Sequence, residues 1–307
     1  ARAATGRDGV AVCGYHGWHD WYLAANIQHD ESLSEHLLPG LEPSGVPAAL
    51  AGSVHPFSYN RLDQLEAIIA RHRLAAVKME VQRSVPPEPG FLEAIRQLCT
   101  DNGIVLIFDE CTSGFRQSFG GLHKIYGVDP DLAMFGKALG NGYAITATIG
   151  RAAVMQAAQS TFISSTFWTE RIGPSAALKT LEVMERESSW ARITTAGNNL
   201  RRGWQEVADS HRLQLEFNGI SALPGFGFVS PNHLKYKTLM TQEMLKKGYL
   251  ATTACYLSLA HSDDIIARYL EDLDPVFKVI AECESGRSSV DALLAGPVCH
   301  SGFARLN

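Results

Sequence analysis

Two residues at the ends of apolar runs are placed to do chemistry. Asp109 closes residues 104–108, Ile-Val-Leu-Ile-Phe, and is followed by Glu110. Lys137 follows a second short apolar run at 132–135 and leads into Gly140-Asn141-Gly142. Ligands of open α/β sheets bind at the carboxyl ends of the strands, so an acid and an amine there face a ligand if the runs are strands. Taken singly, each has a plainer reading: the acid as a helix cap or ion-pair partner, the lysine as a solvated side chain. Nucleotide binding does not fit the glycines. Ala138 stands where a P-loop needs Ser or Thr after its lysine, and Gly225-Phe226-Gly227 lacks the later glycine of a dinucleotide fingerprint.

Taken together, the pair suits pyridoxal phosphate. A lysine amine condenses with the cofactor aldehyde, and a carboxylate keeps the ring nitrogen protonated. The charged ring then accepts electron density from the substrate α-carbon, because the anion beside its N–H favours the protonated form. A lysine released from the Schiff base can carry the proton between that carbon and the cofactor.

The elements that must hold these residues are legible around them. Leu62, Leu65, Ile68 and Ile69 share one face of a helix over 61–72. Residues 75–81 alternate Val77, Met79 and Val81 with Lys78 and Glu80, a strand pattern. A loop at 86–90 and a helix from Phe91 that stops at Asn102-Gly103 lead into the apolar run at 104–108. Its composition is that of a strand buried on both faces of a parallel sheet, and the order strand, helix, strand predicts an α/β fold. Residues 173–211 read as one long helix or two. Strands are expected at 213–217, 225–229 and 251–259, with helices at 238–247 and 264–283. The expected division is a large α/β domain over 1–204 and a small C-terminal α+β domain over 205–307. Residues 1–6 read as the last turn of a helix with a glycine stop, followed by a strand at 9–13.

Composition narrows the function classes. With 307 residues and 46% hydrophobic content the chain can bury a sizeable core. The net charge of −5, with no basic block, argues against nucleic acid and anionic lipid as partners. No apolar stretch approaches the ~20 residues of a membrane helix, and six cysteines without CxxC spacing read as reduced thiols. The expected location is the cytoplasm, and the expected partners are small molecules.

The runs Leu106-Ile107-Phe108-Asp109-Glu110-Cys111-Thr112-Ser113-Gly114-Phe115-Arg116, Tyr126-Gly127-Val128-Asp129-Pro130-Asp131-Leu132 and Gly136-Lys137-Ala138-Leu139-Gly140-Asn141-Gly142 occur in that order. They resemble the cofactor signature of class III pyridoxal-phosphate-dependent aminotransferases. Gly14-Tyr15-His16-Gly17-Trp18-His19-Asp20 and Ser258-Leu259-Ala260-His261 are similar to the glutamate-1-semialdehyde aminomutase-like branch. The resemblance implies a fold-type-I architecture with a mostly parallel sheet. It implies Lys137 for the Schiff base, Asp109 for the ring nitrogen, Tyr15 and His16 at the ring, Cys111 on the opposite face and Glu80 near the active site. It also implies Thr166, in Ser164-Ser165-Thr166-Phe167-Trp168, reaching the cofactor phosphate of a neighbouring subunit in a homodimer. Family members carry a further N-terminal portion with a Gly-Ser-Glu segment at a helix N-terminus, so the large domain is expected to lack its beginning. The expected reaction is transfer of an amino group from an amino donor to a keto or aldehyde acceptor. Residues 249–257 lack the acidic residue of the true aminomutase, which tilts the acceptor towards another carbonyl compound such as a sugar. The alternatives are an intramolecular aminomutase and a non-catalytic dimeric scaffold. No metal site is expected: His16-x-x-His19-Asp20 has no matching distal ligand motif. Arg116 and Arg171 are open between a substrate carboxylate and an exposed ion pair.

Overall fold

The computed structural model describes residues 1–17, 19–28, 32–34, 36, 40–164, 166–167 and 169–301. Trp18, Ser165 and Trp168 of the motifs above lie outside the described residues. The chain divides into two compact units, Ala1–Glu185 and Arg186–Ser301.

The first unit is built on a six-stranded sheet of β1 (Gly9–Cys13), β2 (Val54–Pro56), β3 (Leu74–Met79), β4 (Val105–Asp109), β5 (Leu132–Phe135) and β6 (Ala147–Gly150), in the order β2-β1-β3-β4-β5-β6. Neighbours from β2 to β5 pair in parallel, and β6 closes the edge antiparallel to β5. The expected mostly parallel sheet is therefore present. Helices α1 (Leu62–Arg71) and α2 (Phe91–Asp101) precede β3 and β4. In α2, Phe91, Leu92, Ile95 and Cys99 are buried along one face, the i, i+1, i+4, i+8 spacing that points inward. All six residues of β3 are buried, Lys78 included. The alternation at 75–81 thus marks two buried faces rather than one buried and one wet. The apolar runs place Val10, Val12, Ala76 and Val105 in one core. Arg7 fastens the start of the sheet, its Nη1 donating to the carbonyls of Leu74 at 3.1 Å and Asn102 at 2.9 Å. Asp131 sets the start of β5: its carboxylate accepts from Leu106 N at 2.8 Å and from Arg96 at 2.9 Å.

Residues 173–211 form two helices, α3 (Ile172–Glu187) and α4 (Ser189–Ser210). Ser188, at φ +47, breaks them. The second unit takes all of α4, because Ile193, Ala196, Leu200, Trp204 and Ala208 pack into its core. The division lies at 185/186, whereas the sequence puts it at 204/205, inside that helix. The hairpin β7 (Leu215–Asn218) and β8 (Gly225–Phe228) and the helices α5 (His233–Lys246) and α6 (Asp263–Glu284) complete the unit. Phe226, Phe228 and Phe277 meet edge to face at its centre, with ring centroids 5.5–6.1 Å apart. Ser262 caps α6, its hydroxyl accepting from Ile265 N, with Asp263 and Asp264 in the first turn where the helix dipole favours acids.

The expected strand at 251–259 is corrected: there is only an isolated bridge between Ala254 and Gly225. Cys255 N donates to the Pro224 carbonyl at 3.0 Å, but a proline has no N–H to return, so the ladder does not propagate.

Candidate active site

Asp109 ends β4, and its pairing with Met134 of β5 brings the two strand ends together. Glu110 N donates to the Met134 carbonyl at 2.8 Å. Past that bond the chain from β5 runs through an extended Gly136 to Lys137, whose φ of +43 lies in the left-handed region. Such a conformation costs an L-residue about 1 kcal/mol or more, and strain of this kind concentrates at functional positions. The Lys137 side chain is exposed, and its Nζ donates to Thr112 Oγ1 at 2.6 Å. Gly136 lies so close to the β4 segment that a Cβ on it would come 3.1 Å from Cys111 Sγ. The residues following Asp109 and those following β5 therefore touch twice, at Thr112 and at Cys111.

Asp109 is buried and richly held. Its Oδ2 accepts from His16 Nδ1 at 3.1 Å and from the Lys78 ammonium, and its Oδ1 from Cys111 N at 3.2 Å. Burial pushes the carboxyl up, but the His16 hydrogen bond and the Lys78 charge outweigh it and hold the group well below the usual carboxylate range. Asp109 is an anion at neutral pH. His16, buried and edge-on to Tyr22 at 5.8 Å, is pushed down to about 4 by burial, against the pull of Asp109. It is a neutral donor, and the formal charge on Asp109 is met by Lys78.

Glu80 follows β3, and its Oε2 accepts from Tyr15 N at 3.1 Å, fixing the backbone of the residue assigned to the ring face. Burial raises the Glu80 carboxyl. Arg83 Nη1 stands 3.5 Å from the same oxygen, and its guanidinium lies over the Tyr15 ring, 5.7 Å from the centroid. Gly14, at φ +115, clears the space: a Cβ there would stand 2.7 Å from Glu80 Oε2. The Cys111 thiol is pushed up by burial and then by the Asp109 charge, which suits a packing group and not a nucleophile. Tyr15, His16, Glu80, Asp109 and Cys111 are thus joined by direct contacts, with Lys137 one contact away through Thr112. Thr166 stands apart from that network as an exposed residue.

Glu110 is turned away from this cluster. Fully buried, it accepts from Ser113 Oγ at 2.5 Å and from His123 N at 3.0 Å, so it fastens the loop after β4. Arg116 is engaged locally, donating to the Thr112 carbonyl at 2.7 Å. Lys78 is a member of the site that the apolar pattern does not single out. Its signal in the sequence is a lone lysine among Ala75, Ala76, Val77 and Met79, in a strand next to one tipped by an acid.

Against this geometry, the sequence pattern of the Aminotransferase class-III family matches residues 10–266. The chain belongs to the class III aminotransferase family. It is 36% identical over 291 residues to a 3-aminobutyryl-CoA aminotransferase of Cloacimonas acidaminovorans (strain Evry), a match covering 88% of this chain and 65% of the relative. It is 29% identical to a glutamate-1-semialdehyde 2,1-aminomutase of Natranaerobius thermophilus, over 92% of this chain and 70% of that protein. The chain thus spans about two thirds of the length of the curated relatives it matches. Among solved structures, an omega-transaminase from Sphaerobacter thermophilus superposes with a TM-score of 0.77 at 25% identity, over 90% of this chain and 69% of that one. The FumI protein of Sphingopyxis sp. MTA144, in a PLP-bound form, gives 0.81 at 24% identity, over 95% and 70%.

Pyridoxal phosphate is the cofactor of class III aminotransferases, and the donor set here fits it. A buried carboxylate that stays ionised suits a protonated ring nitrogen, and an exposed primary amine on the adjacent strand end suits an aldehyde.

Proposed function

We propose that the protein is a pyridoxal-phosphate-dependent aminotransferase that moves an amino group from an amino donor to a keto or aldehyde acceptor. The observation that carries this reading is the ionised Asp109 and the Lys137 amine at the ends of the adjacent parallel strands β4 and β5. Pyridoxal phosphate, when bound, supplies an aldehyde carbon for the substrate nitrogen and a ring that accepts electron density.

The protein's own residues have separate tasks. Asp109, as an anion in a low-dielectric site, holds the proton at the ring nitrogen. Lys137, exposed and held by Thr112, would bind the cofactor aldehyde through its amine and, once free, would hold and move the proton at the substrate α-carbon. Tyr15, its backbone fixed by Glu80, would pack against the cofactor ring, and Cys111 would border the ring's other face. His16 donates to Asp109 and keeps the carboxylate oriented.

The assembly proposed is a homodimer with the active site at the interface, where Thr166 reaches the neighbour's cofactor phosphate. Its support is the apolar surface around Thr166: Phe162 is 98% exposed and Phe167 74%. The cytoplasm is the proposed location, on the strength of six cysteines present as thiols. Among the described residues no helix is long and apolar enough to cross a membrane.

The test is a half-reaction. Protein loaded with cofactor is converted by an amino donor, then offered keto acids, keto sugars and a 3-oxoacyl-CoA thioester, the last because the Cloacimonas relative is named for 3-aminobutyryl-CoA. At least one acceptor is expected to restore the starting absorbance. Turnover of a single compound with no second one would instead favour the aminomutase reading, and failure to bind cofactor would leave a scaffold.

A further inference from the structure

Asp109 has more positive charge against it than its orientation requires. The His16 N–H and the Cys111 backbone N–H already hold both carboxylate oxygens. Lys78 adds a full charge from the C-terminal end of β3, with 8% of its side chain exposed against 11% for Asp109. Burying an ammonium is costly, and an apolar side chain of similar length fills such a place at least as well, so packing does not call for a lysine here. Of the roughly four lone-pair directions of a carboxylate, the three donors leave about one. Among the described residues, other titratable groups near it are Tyr15 beside His16, Glu80 after β3, Cys111 after β4 and Lys137 after β5. Of the last three, only Cys111 donates to Asp109, through its backbone N–H.

We propose that Lys78 is a positioning residue for the cofactor ring: its ammonium shares the Asp109 carboxylate with the ring nitrogen and weakens the hold of Asp109 on the proton there. The inference rests on the reading of the site as a pyridoxal phosphate site. A carboxylate that binds only neutral donors gives its whole charge to a ring N–H. One that is already ion-paired gives a fraction, and the ring proton is released more readily. In this protein, then, the ring nitrogen changes protonation at a lower pH than Asp109 alone would set. Removing a cation at this range shifts a neighbouring ionisation by about one to three pH units, a change of about tenfold or more in the ratio of protonated to unprotonated ring.

The experiment is nitrogen NMR of the holoenzyme carrying pyridoxal phosphate labelled with nitrogen-15 in the ring, titrated across the neutral range. It compares wild type with Lys78→Met, Lys78→Gln and Lys78→Arg. The expected result is that Met and Gln move the ring signal towards its protonated value and raise the midpoint by at least about one unit, while Arg stays with wild type. Gln carries the test if Met does not fold, since it keeps a donor and loses only the charge. Equal ring signals in wild type, Met and Gln, or a shift away from the protonated value, would overturn the role of Lys78. Absence of bound cofactor in wild type would be a failure of the underlying functional reading, visible before any variant is made.

Discussion

Two acids stand side by side in this sequence, and the fold gives them opposite tasks. Asp109 is held by His16, Lys78 and the Cys111 N–H, whereas Glu110 disappears into contacts with Ser113 and His123. Replacing Asp109 by Asn keeps the shape and removes the charge, so the half-reaction rate should fall about 100-fold or more. Lys137→Ala should lower it by about 1000-fold or more, since it removes the group that moves the proton. Stopped-flow absorbance with one amino donor checks both. His16 carries a separate prediction. Burial holds its imidazole at about 4 against an ordinary 6.5, so the folded protein refuses a proton that the unfolded chain accepts. Stability is then full above pH 6.5 and falls as pH drops from 6.5 to about 4, by a few kcal/mol (roughly 3). Denaturant midpoints at neutral and mildly acidic pH should show this slope, and His16→Gln should flatten it. Asp109, whose folded value is depressed, adds a further loss that begins as pH falls through the ordinary carboxylate range, where the unfolded chain takes up the proton, and continues below it.

At the scale of elements, the site depends on close approaches that allow no side chain. Gly14→Ala forces both a left-handed backbone and a Cβ 2.7 Å from Glu80 Oε2, which should loosen the loop bearing Tyr15 and His16. Gly197→Ala is the sharper case, because its Cβ would sit 1.7 Å from the Ser221 carbonyl oxygen, a backbone atom that cannot swing aside. A loss of at least about 1–3 kcal/mol is expected for Gly197→Ala, from overpacking α4 against its own unit, and calorimetry of the variant checks it. The same elements mark what the sequence could and could not reveal. The helices before β3 and β4, and the strands themselves, were legible because their apolar spacing agrees with their tertiary burial. The placement of Asp109 and Lys137 at the ends of neighbouring strands was legible from the apolar runs that precede them, and strand ends of α/β sheets are where ligands go. Lys78 was not, since alternation along one strand does not tell whether the second face is wet or covered by another layer. Residues 251–259 misled for a different reason: their β-like composition was real, but the facing segment contains Pro224 and cannot return the hydrogen bond. Ser188 was the other silent position, as a serine gives no warning of a left-handed break between two helices.

At the scale of the molecule, the proposed dimer makes the exposed apolar residues around Thr166 an interface. Phe162→Asp should convert the protein to monomer in sedimentation velocity and remove activity with it; an unchanged dimer would count against this surface. Thr166→Ala should weaken cofactor binding by about tenfold, the worth of one charge-assisted hydrogen bond, measured by equilibrium titration of the apoprotein. Both expectations presuppose that the large unit holds its cofactor between Asp109 and Lys137. The most direct measurement of that is borohydride reduction of the cofactor-loaded protein, followed by peptide mass mapping. A single stoichiometric label on Lys137, absent from Lys137→Ala, is the result expected; a label on Lys78, or one spread over surface lysines, would contradict it.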